Sequence, residues 1–313
     1  MFDVKKIRND FPMFKGVKMQ GHDLIFLDNA STTFKPQAVL DAENIYNTSE
    51  TSNSGRGDYD VMYKVDTKIL ETRKTVAHFI NADPDEIVFT SGDTEALNLV
   101  AFGYAKKHLK KGDEILITLA EHASNVLPWF ELQKTIGCKV NYINLTKDGE
   151  LTLENVKKAV TKNTKFISVA NVTNVLGFYV DLKPICKFAH EHGIIVICDG
   201  AQSVPHFRTD VKDMDVDFLA FSGHKMCGPT GVGVLYGKKE LLAETEPLIL
   251  GGGMNETFEP NGEYVLHKTP ENLEGGTHNI EGIYGLNAAI KYLENIGMEN
   301  IEKYESELRS YAM

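Results

Sequence analysis

The sequence has few cysteines, and their spacing excludes two classes of small stabilised domain. Cys138, Cys186, Cys198 and Cys227 are spread over 313 residues without a CxxC pair, which fits neither a disulfide framework nor a zinc ribbon. Cys186 and His190 lie one helical turn apart, but further ligands are not close to them in the sequence, so we predict no metal site. We expect reduced, mostly buried thiols.

The chain also lacks an excess of basic charge and any long apolar run. There are 33 Lys and Arg residues against 44 Asp and Glu residues, which gives a formal net charge of −11. This balance opposes attraction to nucleic acid or to an anionic membrane surface. No apolar stretch approaches the length of a membrane span, and the opening MFDVKKIRNDFPMF carries charges throughout. We therefore predict a cytoplasmic protein without a nucleic-acid or membrane partner.

What the chain does contain is a series of short apolar runs separated by helix-length segments. Hydrophobic residues make up 42% of the chain, which is enough for a full core. The runs EIVFT, EILITL, KVNYINL, KFISVA, IIVICD, VDFLAFS and GVGVLY are rich in β-branched residues. Apolar on both faces, they predict a mainly parallel sheet sandwiched by helices, an α/β fold. The irregular stretch 250–279 is predicted to be a long functional excursion.

Polar residues that follow these strands are the first candidates for a site, because ligands of open parallel sheets bind beyond the carboxyl ends of the strands. In FTSGDTEALN a strand ends at Thr90 and a helix begins near Thr94. Free amides and hydroxyls at such a helix start suit a phosphate, although a simple helix cap is the plainer interpretation of this segment taken alone. In LAEHASNVLPW a loop holds His122 and Asn125, where a surface histidine is the plainer interpretation.

Two further strand ends carry charged groups. Asp199 follows an apolar run directly, and a carboxylate in that setting needs a partner, either a helix start or a cationic ring. In DFLAFSGHKMCGPTGVG, Ser222, His224 and Lys225 leave a strand together within a glycine-dense turn. Neither GxGxxG nor a P-loop motif occurs there. Amine, carboxylate, ring and hydroxyls together match the needs of pyridoxal 5'-phosphate (PLP).

Several motifs now make the sequence resemble a known family. LDNASTT, TSGDTEALNLVA, EHASNVLPW, NVTNVLG, DGAQSVPH, SGHKMCGPTGVGVLYGKK and EGGTHN occur in that order. They resemble the class V aminotransferases among the fold-type I PLP enzymes, most closely the SufS-type, or NifS-like, cysteine desulfurases. The resemblance covers nearly the whole chain. It implies a homodimer that converts L-cysteine to L-alanine, keeps the sulfur as a persulfide and passes it to an acceptor protein for iron–sulfur cluster assembly.

The resemblance also implies roles for individual residues. Lys225 bonds to the cofactor aldehyde and moves the substrate α-proton, and His122 stacks on the ring. Asp199 pairs with the pyridinium nitrogen and Gln202 with the ring hydroxyl. The remaining positions follow the same motifs: the phosphate contacts are Thr94, Ser222, His224 and, from the partner subunit, Thr277, while Asn174 and Arg56 approach the substrate.

Some features depart from the family pattern. The reactive cysteine and a carboxylate-binding arginine lie, in relatives, beyond the part that this chain matches, and we interpret Cys227 as a packing residue. We divide the chain into an N-terminal segment (1–20), a cofactor domain (21–282) and the start of a truncated small C-terminal domain (283–313). Asp93 stands where relatives often have threonine; we expect its carboxylate to point away from the phosphate or to be protected by a hydrogen bond.

Three alternatives therefore remain open. The first is a cysteine desulfurase. The second keeps PLP but acts on L-selenocysteine or another class V substrate. The third is a PLP-binding scaffold that does not complete sulfur transfer.

Overall fold

A central sheet organises the chain, and the computed structural model describes it within residues 2–55 and 57–313. The strands are β1 (Lys18–Met19), β2 (His22–Asp23), β3 (Ile87–Thr90), β4 (Glu114–Ile117), β5 (Lys139–Tyr142), β6 (Thr164–Ala170), β7 (Ile195–Asp199), β8 (Phe218–Ser222), β9 (Gly233–Gly237), β10 (Asn255–Phe258) and β11 (Tyr264–Leu266). In the described part of the chain, seven of them form one sheet in the order β3-β9-β8-β7-β6-β4-β5.

Helices precede, connect and follow these strands. They are α1 (Val4–Arg8), α2 (Gln37–Ser49), α3 (Asp60–Ile80), α4 (Asp93–Asn98), α5 (Lys106–His108), α6 (Leu127–Ile136), α7 (Leu153–Ala159), α8 (Leu182–Glu191), α9 (Val211–Met214), α10 (Lys239–Ala243), α11 (Ile280–Ile296) and α12 (Met298–Ala312). A π-helical stretch, Leu99–Ala105, joins α4 to α5. Among the described residues, no helix combines the length and the apolar composition that crossing a membrane requires.

The prediction of a mainly parallel α/β sheet is confirmed. Strands β4, β5, β6, β7 and β8 pair in parallel, whereas β9 runs antiparallel to both of its neighbours, β3 and β8. Each predicted apolar run contains one of the seven strands. The sheet places the ends of β3, β7 and β8 along one edge, so that the polar residues following them meet there.

Buried side chains cover both faces of the sheet. One core cluster joins α3, α8 and α11 to the sheet, and the other joins the helical stretch 93–108 to the opposite face. Helix α3 contributes Val65, Ile69, Val76 and Ile80, whose spacing of three to four residues puts them on one side of the helix. The predicted sandwich of helices around the sheet is therefore present.

The stretch 250–279 differs from an irregular loop, because it contains the hairpin of β10 and β11 and a 3₁₀ turn at Glu271–Leu273. The final two helices break at Gly297. The helical stretch that begins at Asp93 ends at His108, and Gly112 lies in the following turn with a positive φ of 91°. The proposed division at residues 20 and 282 stays a prediction.

Candidate active site

A cavity of about 410 Å³ opens at the carboxyl edge of the sheet. It is lined by Asp28, Ala30, Ser31, Asp93, Thr94, His122, Ser124, Asn174, Gln202, Ser222, His224 and Lys225. Seven residues predicted from the motifs are in this lining, so the structure brings together side chains from distant parts of the sequence. The volume is in the range of small-molecule sites.

The turn that carries Lys225 is held from outside by the LDNASTT segment. The His224 carbonyl accepts hydrogen bonds from the Thr33 backbone amide at 2.9 Å and from the Thr33 hydroxyl at 3.0 Å. The Thr32 hydroxyl donates to the same carbonyl at 3.2 Å and lies 3.2 Å from Nδ1 of His224. Burial, together with Lys225 and Lys35, lowers the pKa of His224. The three hydrogen bonds to the His224 carbonyl fix the backbone of the turn that carries Lys225.

The start of α4 lies against the end of β8. The backbone amide of Asp93 donates to Oγ of Ser222 at 2.8 Å. This contact depends on Gly233 in β9, because a Cβ there would lie 2.4 Å from Cα of Gly92 and clash with it. The glycine thus permits the close approach of two backbones that the sequence predicted for this region.

His122 is oriented by its neighbours. Its Nδ1 accepts a hydrogen bond from the Ser124 amide at 3.2 Å and lies 3.0 Å from the Ser124 hydroxyl. The same hydroxyl is 2.7 Å from Oγ1 of Thr94, which links the histidine loop to the helix start. Asn125 is buried and donates to Glu121 at 2.8 Å, and burial raises the pKa of Glu121 to about 7. The loop is therefore supported by a buried polar network.

Asp199 lies at the end of β7 beside the cavity rather than in its lining. Only 4% of the residue is exposed, and its Oδ1 accepts from the Ala201 amide at 3.0 Å. Burial raises the pKa of Asp199, while the Ala201 amide, Lys225 and His122 lower it. Gln202 is oriented by a hydrogen bond from Nε2 to the Ala30 carbonyl at 2.6 Å. The Asp199 carboxyl is thus within electrostatic reach of the Lys225 amine.

The structure contradicts part of the expectation for Asp93. The residue lines the cavity and is only 6% exposed, and its Oδ1 has no hydrogen-bond partner among the described residues. The predicted protection by a hydrogen bond is therefore absent at Oδ1, whereas the direction of the carboxyl relative to a phosphate stays a prediction. The physical reason is that the 91–93 turn packs against Ser222 and Gly233, where the described residues place no donor within hydrogen-bond distance of Oδ1.

Besides Asp199, the predicted residue Thr277 does not line this cavity. Thr277 is exposed and lines different clefts of the surface. Arg56 lies outside the described residues. Conversely, the sequence analysis did not single out Asp28, Ser31 or Ser124, although LDNASTT and EHAS, which contain them, were recognised as motifs. Asp28 and Ser31 could have been found from the sequence, because they belong to a run of polar residues directly after the apolar LIFL.

The thiols are absent from the cavity lining among the described residues, although Cys227 lines a neighbouring cleft that Lys225 also lines. All four cysteines are free; Cys138, Cys186 and Cys198 are buried and Cys227 is half-buried. In the described chain none of them lines the cavity. Burial raises the pKa of Cys227 to about 12, which agrees with its interpretation as a packing residue. Within residues 2–55 and 57–313, no group of three or more His, Cys, Asp or Glu side chains is arranged to hold a metal ion.

The donors of the cavity fit a phosphorylated pyridine aldehyde. Lys225 offers an amine for the aldehyde, and the buried carboxyl of Asp199 suits a protonated ring nitrogen. The hydroxyls of Ser222 and Thr94 lie together at the start of a helix, which suits a phosphate. The residues present therefore match PLP by the chemistry of each group.

Comparisons with known proteins agree with this geometry. Residues 25–313 match the family described as aminotransferase class-V. The chain is 43% identical over 312 residues to a probable cysteine desulfurase of Halalkalibacterium halodurans, covering 99% of this chain and 76% of that protein. It is 41% identical to a cysteine desulfurase of Synechococcus elongatus, of which it spans 49%.

A solved structure shows the same fold. The apo structure of cysteine desulfurase from Thermococcus onnurineus superposes with a TM-score of 0.93 at 38% identity, over 99% of this chain and 76% of that one. The predicted fold-type I architecture is thereby confirmed. This chain belongs to the class-V aminotransferase family, whose members are PLP-dependent enzymes.

Proposed function

We propose that the chain is a PLP-dependent cysteine desulfurase of the SufS type that acts on L-cysteine. In this proposal it forms a homodimer in the cytoplasm, releases L-alanine and transfers sulfur through a persulfide to an acceptor protein for iron–sulfur assembly. The names of the relatives at 41–43% identity support the activity. The observation that carries the proposal is the position of Lys225 in one cavity with Thr94, His122 and Ser222.

The residues of the chain divide the work of holding the cofactor. Lys225 would bind the aldehyde, Asp199 the ring nitrogen, and Ser222, Thr94 and His224 the phosphate. PLP would supply an electron sink that stabilises negative charge at the substrate α-carbon. The second N–H of Gln202 is free to donate to the ring oxygen, because the first is used by the Ala30 carbonyl.

Proton transfer at the substrate falls to Lys225. Its amine, once released from the aldehyde, would take the α-proton and later return a proton to the product. The turn around it is fixed by the bonds from Thr32 and Thr33 to the His224 carbonyl, so the backbone that carries the lysine is held beside the cavity. His122, held by Ser124, would cover one face of the ring and exclude water from it.

The sulfur step balances with a thiol as co-reactant. The C–S bond of L-cysteine breaks, an S–S bond forms between the released sulfur and an attacking thiolate, and the β-carbon gains a proton to give alanine. In the part of the chain that the structure describes, no cysteine lines the cavity. The experiment therefore supplies the thiol from solution.

The homodimer accounts for the position of Thr277. This residue is exposed and lies outside the cavity of its own chain. A threonine hydroxyl from a second copy would add a phosphate contact to the site. The subunit arrangement and the sulfur acceptor both belong to this proposal.

The test measures cofactor attachment and turnover separately. PLP is added to the wild-type chain and to Lys225→Ala, each is reduced with borohydride, and the peptide with the added mass is identified. Separate, unreduced samples receive L-cysteine with and without dithiothreitol, and alanine and sulfide are measured. We expect the adduct on Lys225 and alanine release that falls at least about a thousandfold in Lys225→Ala. Wild-type protein that forms no adduct would contradict the proposal.

A second candidate is favoured by the absence of a cavity cysteine among the described residues. The chain would bind PLP as a scaffold, without completing sulfur transfer. In that case the borohydride adduct forms at Lys225, but no alanine appears with or without dithiothreitol. Supplying L-selenocysteine in the same assay separates the desulfurase from a selenocysteine lyase.

A further inference from the structure

Asp93 is a buried acid whose Oδ1 has no hydrogen-bond partner in the described protein, and it lies in the wall of the cavity. Only 6% of the residue is exposed, Oδ1 lacks a hydrogen bond within residues 2–55 and 57–313, and the side chain lines the same cavity as Lys225. A buried polar atom without a partner is costly. Oδ1 itself is shielded from solvent, but the Asp93 side chain belongs to the lining of the cavity, so a ligand bound there can contact the carboxyl.

Several ionisable groups face this carboxyl. Asp28, His122, His224 and Lys225 share the lining of the cavity, and Asp199 lies beside it at the end of β7. Burial raises the pKa of Asp93 well above its usual value, the charge of Asp199 raises it further, and Lys225 lowers it. The surroundings therefore shift the protonation equilibrium of this carboxyl toward the neutral acid.

We propose that Asp93 binds the phosphate of the ligand as a neutral carboxylic acid, donating its hydrogen bond to a phosphate oxygen, so that binding takes up one proton from solvent. This inference rests on the proposed function, because it needs a phosphorylated ligand in this cavity. The position of Asp93 supports it: its own amide donates to Ser222, one of the two hydroxyls at the helix start. A phosphate held by Ser222 and Thr94 would lie beside the Asp93 side chain.

The charge state decides between attraction and repulsion. An ionised Asp93 accepts hydrogen bonds only, and it would stand next to a phosphate that also only accepts them. A protonated Asp93 has an O–H to donate and carries no charge. Donors to phosphate oxygens form strong hydrogen bonds, so the ligand stabilises the protonated state. The proton comes from water and remains on Asp93 in the complex.

The sign of the pH dependence follows. Below the pKa of Asp93 in the empty protein, the acid is already neutral and binding needs no proton. Above that pKa each unit of pH costs the wild type a factor of ten in affinity, because one proton must be taken up. Asp93→Asn carries a permanent N–H donor of similar shape and has no proton to gain. The affinity of Asp93→Asn for PLP therefore does not show this additional tenfold decrease per pH unit.

The first measurement is the Kd of PLP for the wild type and Asp93→Asn, determined by absorbance between pH 7 and 9. The second is the proton uptake on binding, determined by calorimetry in buffers of different ionisation enthalpy. The titration of PLP itself occurs with both proteins and cancels in the comparison. Pyridoxal, which lacks the phosphate, is the matched ligand. Asp93→Thr, with a neutral hydroxyl donor, is the second variant in case Asp93→Asn fails to fold.

We expect the wild type to lose about tenfold more affinity for PLP per pH unit than either variant over part of this range, and to take up about one more proton. With pyridoxal the wild type and the variants should be parallel. Parallel curves with PLP would overturn the inference while leaving the proposed function intact. An equal excess slope with pyridoxal would overturn the phosphate as the partner. Failure of the wild type to bind PLP at any pH would overturn both proposals together.

Discussion

Two buried acids in this protein, Glu274 and Asp93, have opposite surroundings. Glu274 forms a two-pronged ion pair with Arg73, with both N–O distances at 2.8 Å, and also accepts from the Phe89 amide at 2.6 Å. The Oδ1 of Asp93 has no hydrogen-bond partner among the described residues. Both side chains are almost fully removed from solvent.

The difference separates a structural acid from one that is ready for a ligand. Burying a charge costs several kcal/mol unless other groups compensate for it. The protein itself compensates Glu274, which ties the loop before Thr277 to α3 and β3. It does not compensate Asp93, which faces a cavity instead. Burial alone therefore does not identify a functional acid. An acid that is buried without a partner in the wall of a cavity is a better candidate.

The largest effect is expected from removing Arg73, the ion-pair partner of the compensated acid Glu274. Arg73→Leu leaves the charge of Glu274 buried without its partner, and we expect the free energy of unfolding to fall by about 3–5 kcal/mol. Urea denaturation measures it. Lys212→Ala, which removes an exposed pair with Asp83, is the control and should change stability by less than about 1 kcal/mol. A similar small change for Arg73→Leu would show that the buried pair contributes little.

Asp199 lies between the two extremes, since one backbone amide bonds to its Oδ1. Asp199→Asn removes an acid whose pKa burial raises, so the stability of the protein without cofactor should stay the same or increase. Alanine release should fall about 100- to 1000-fold, because an amide cannot hold the charge of a ring nitrogen. Stability and turnover, measured on the same preparation, should therefore change in different directions.

Asp213→Asn is the matched control for this variant. Asp213 is an exposed acid paired with Lys183 on the surface, far from the cavity lining. Its replacement should leave alanine release within about twofold. A loss of stability in Asp199→Asn as large as the loss of turnover would show that Asp199 is a structural acid like Glu274.

The fold could be predicted from the sequence because its strands are local apolar runs, and the site because its polar residues directly follow those strands. Lys225, Ser222 and His122 were found in this way. Other features depend on contacts between distant segments. The close approach of Gly92 to Gly233, for example, joins segments that are far apart in the sequence, and no local pattern contains that contact.

The hairpin in 250–279 was missed for a related reason. Strands β10 and β11 are short and mostly exposed, so they lack the apolar pattern that marks a buried strand. The π-helical stretch Leu99–Ala105 has the same local sequence features as an ordinary helix, and its geometry was not predictable from spacing. The anchoring of Lys225 by Thr32 and Thr33 also joins segments about 190 residues apart.

The smallest effect is expected from replacing Cys227. This variant tests whether a group with a raised pKa takes part in the reaction when it lies outside the cavity. Cys227 is a half-buried thiol whose pKa burial raises to about 12, only two residues from Lys225. Yet it lines an apolar cleft beside Phe34 and Tyr292 rather than the polar cavity, and a thiol is neutral at ordinary pH, so its burial costs little. Cys227→Ala keeps the Cβ and hence the backbone preference at its φ of 63°. We expect alanine release within about twofold of wild type, measured with dithiothreitol present. A hundredfold loss would mean that a raised pKa near the lysine marks a reacting group even outside the cavity.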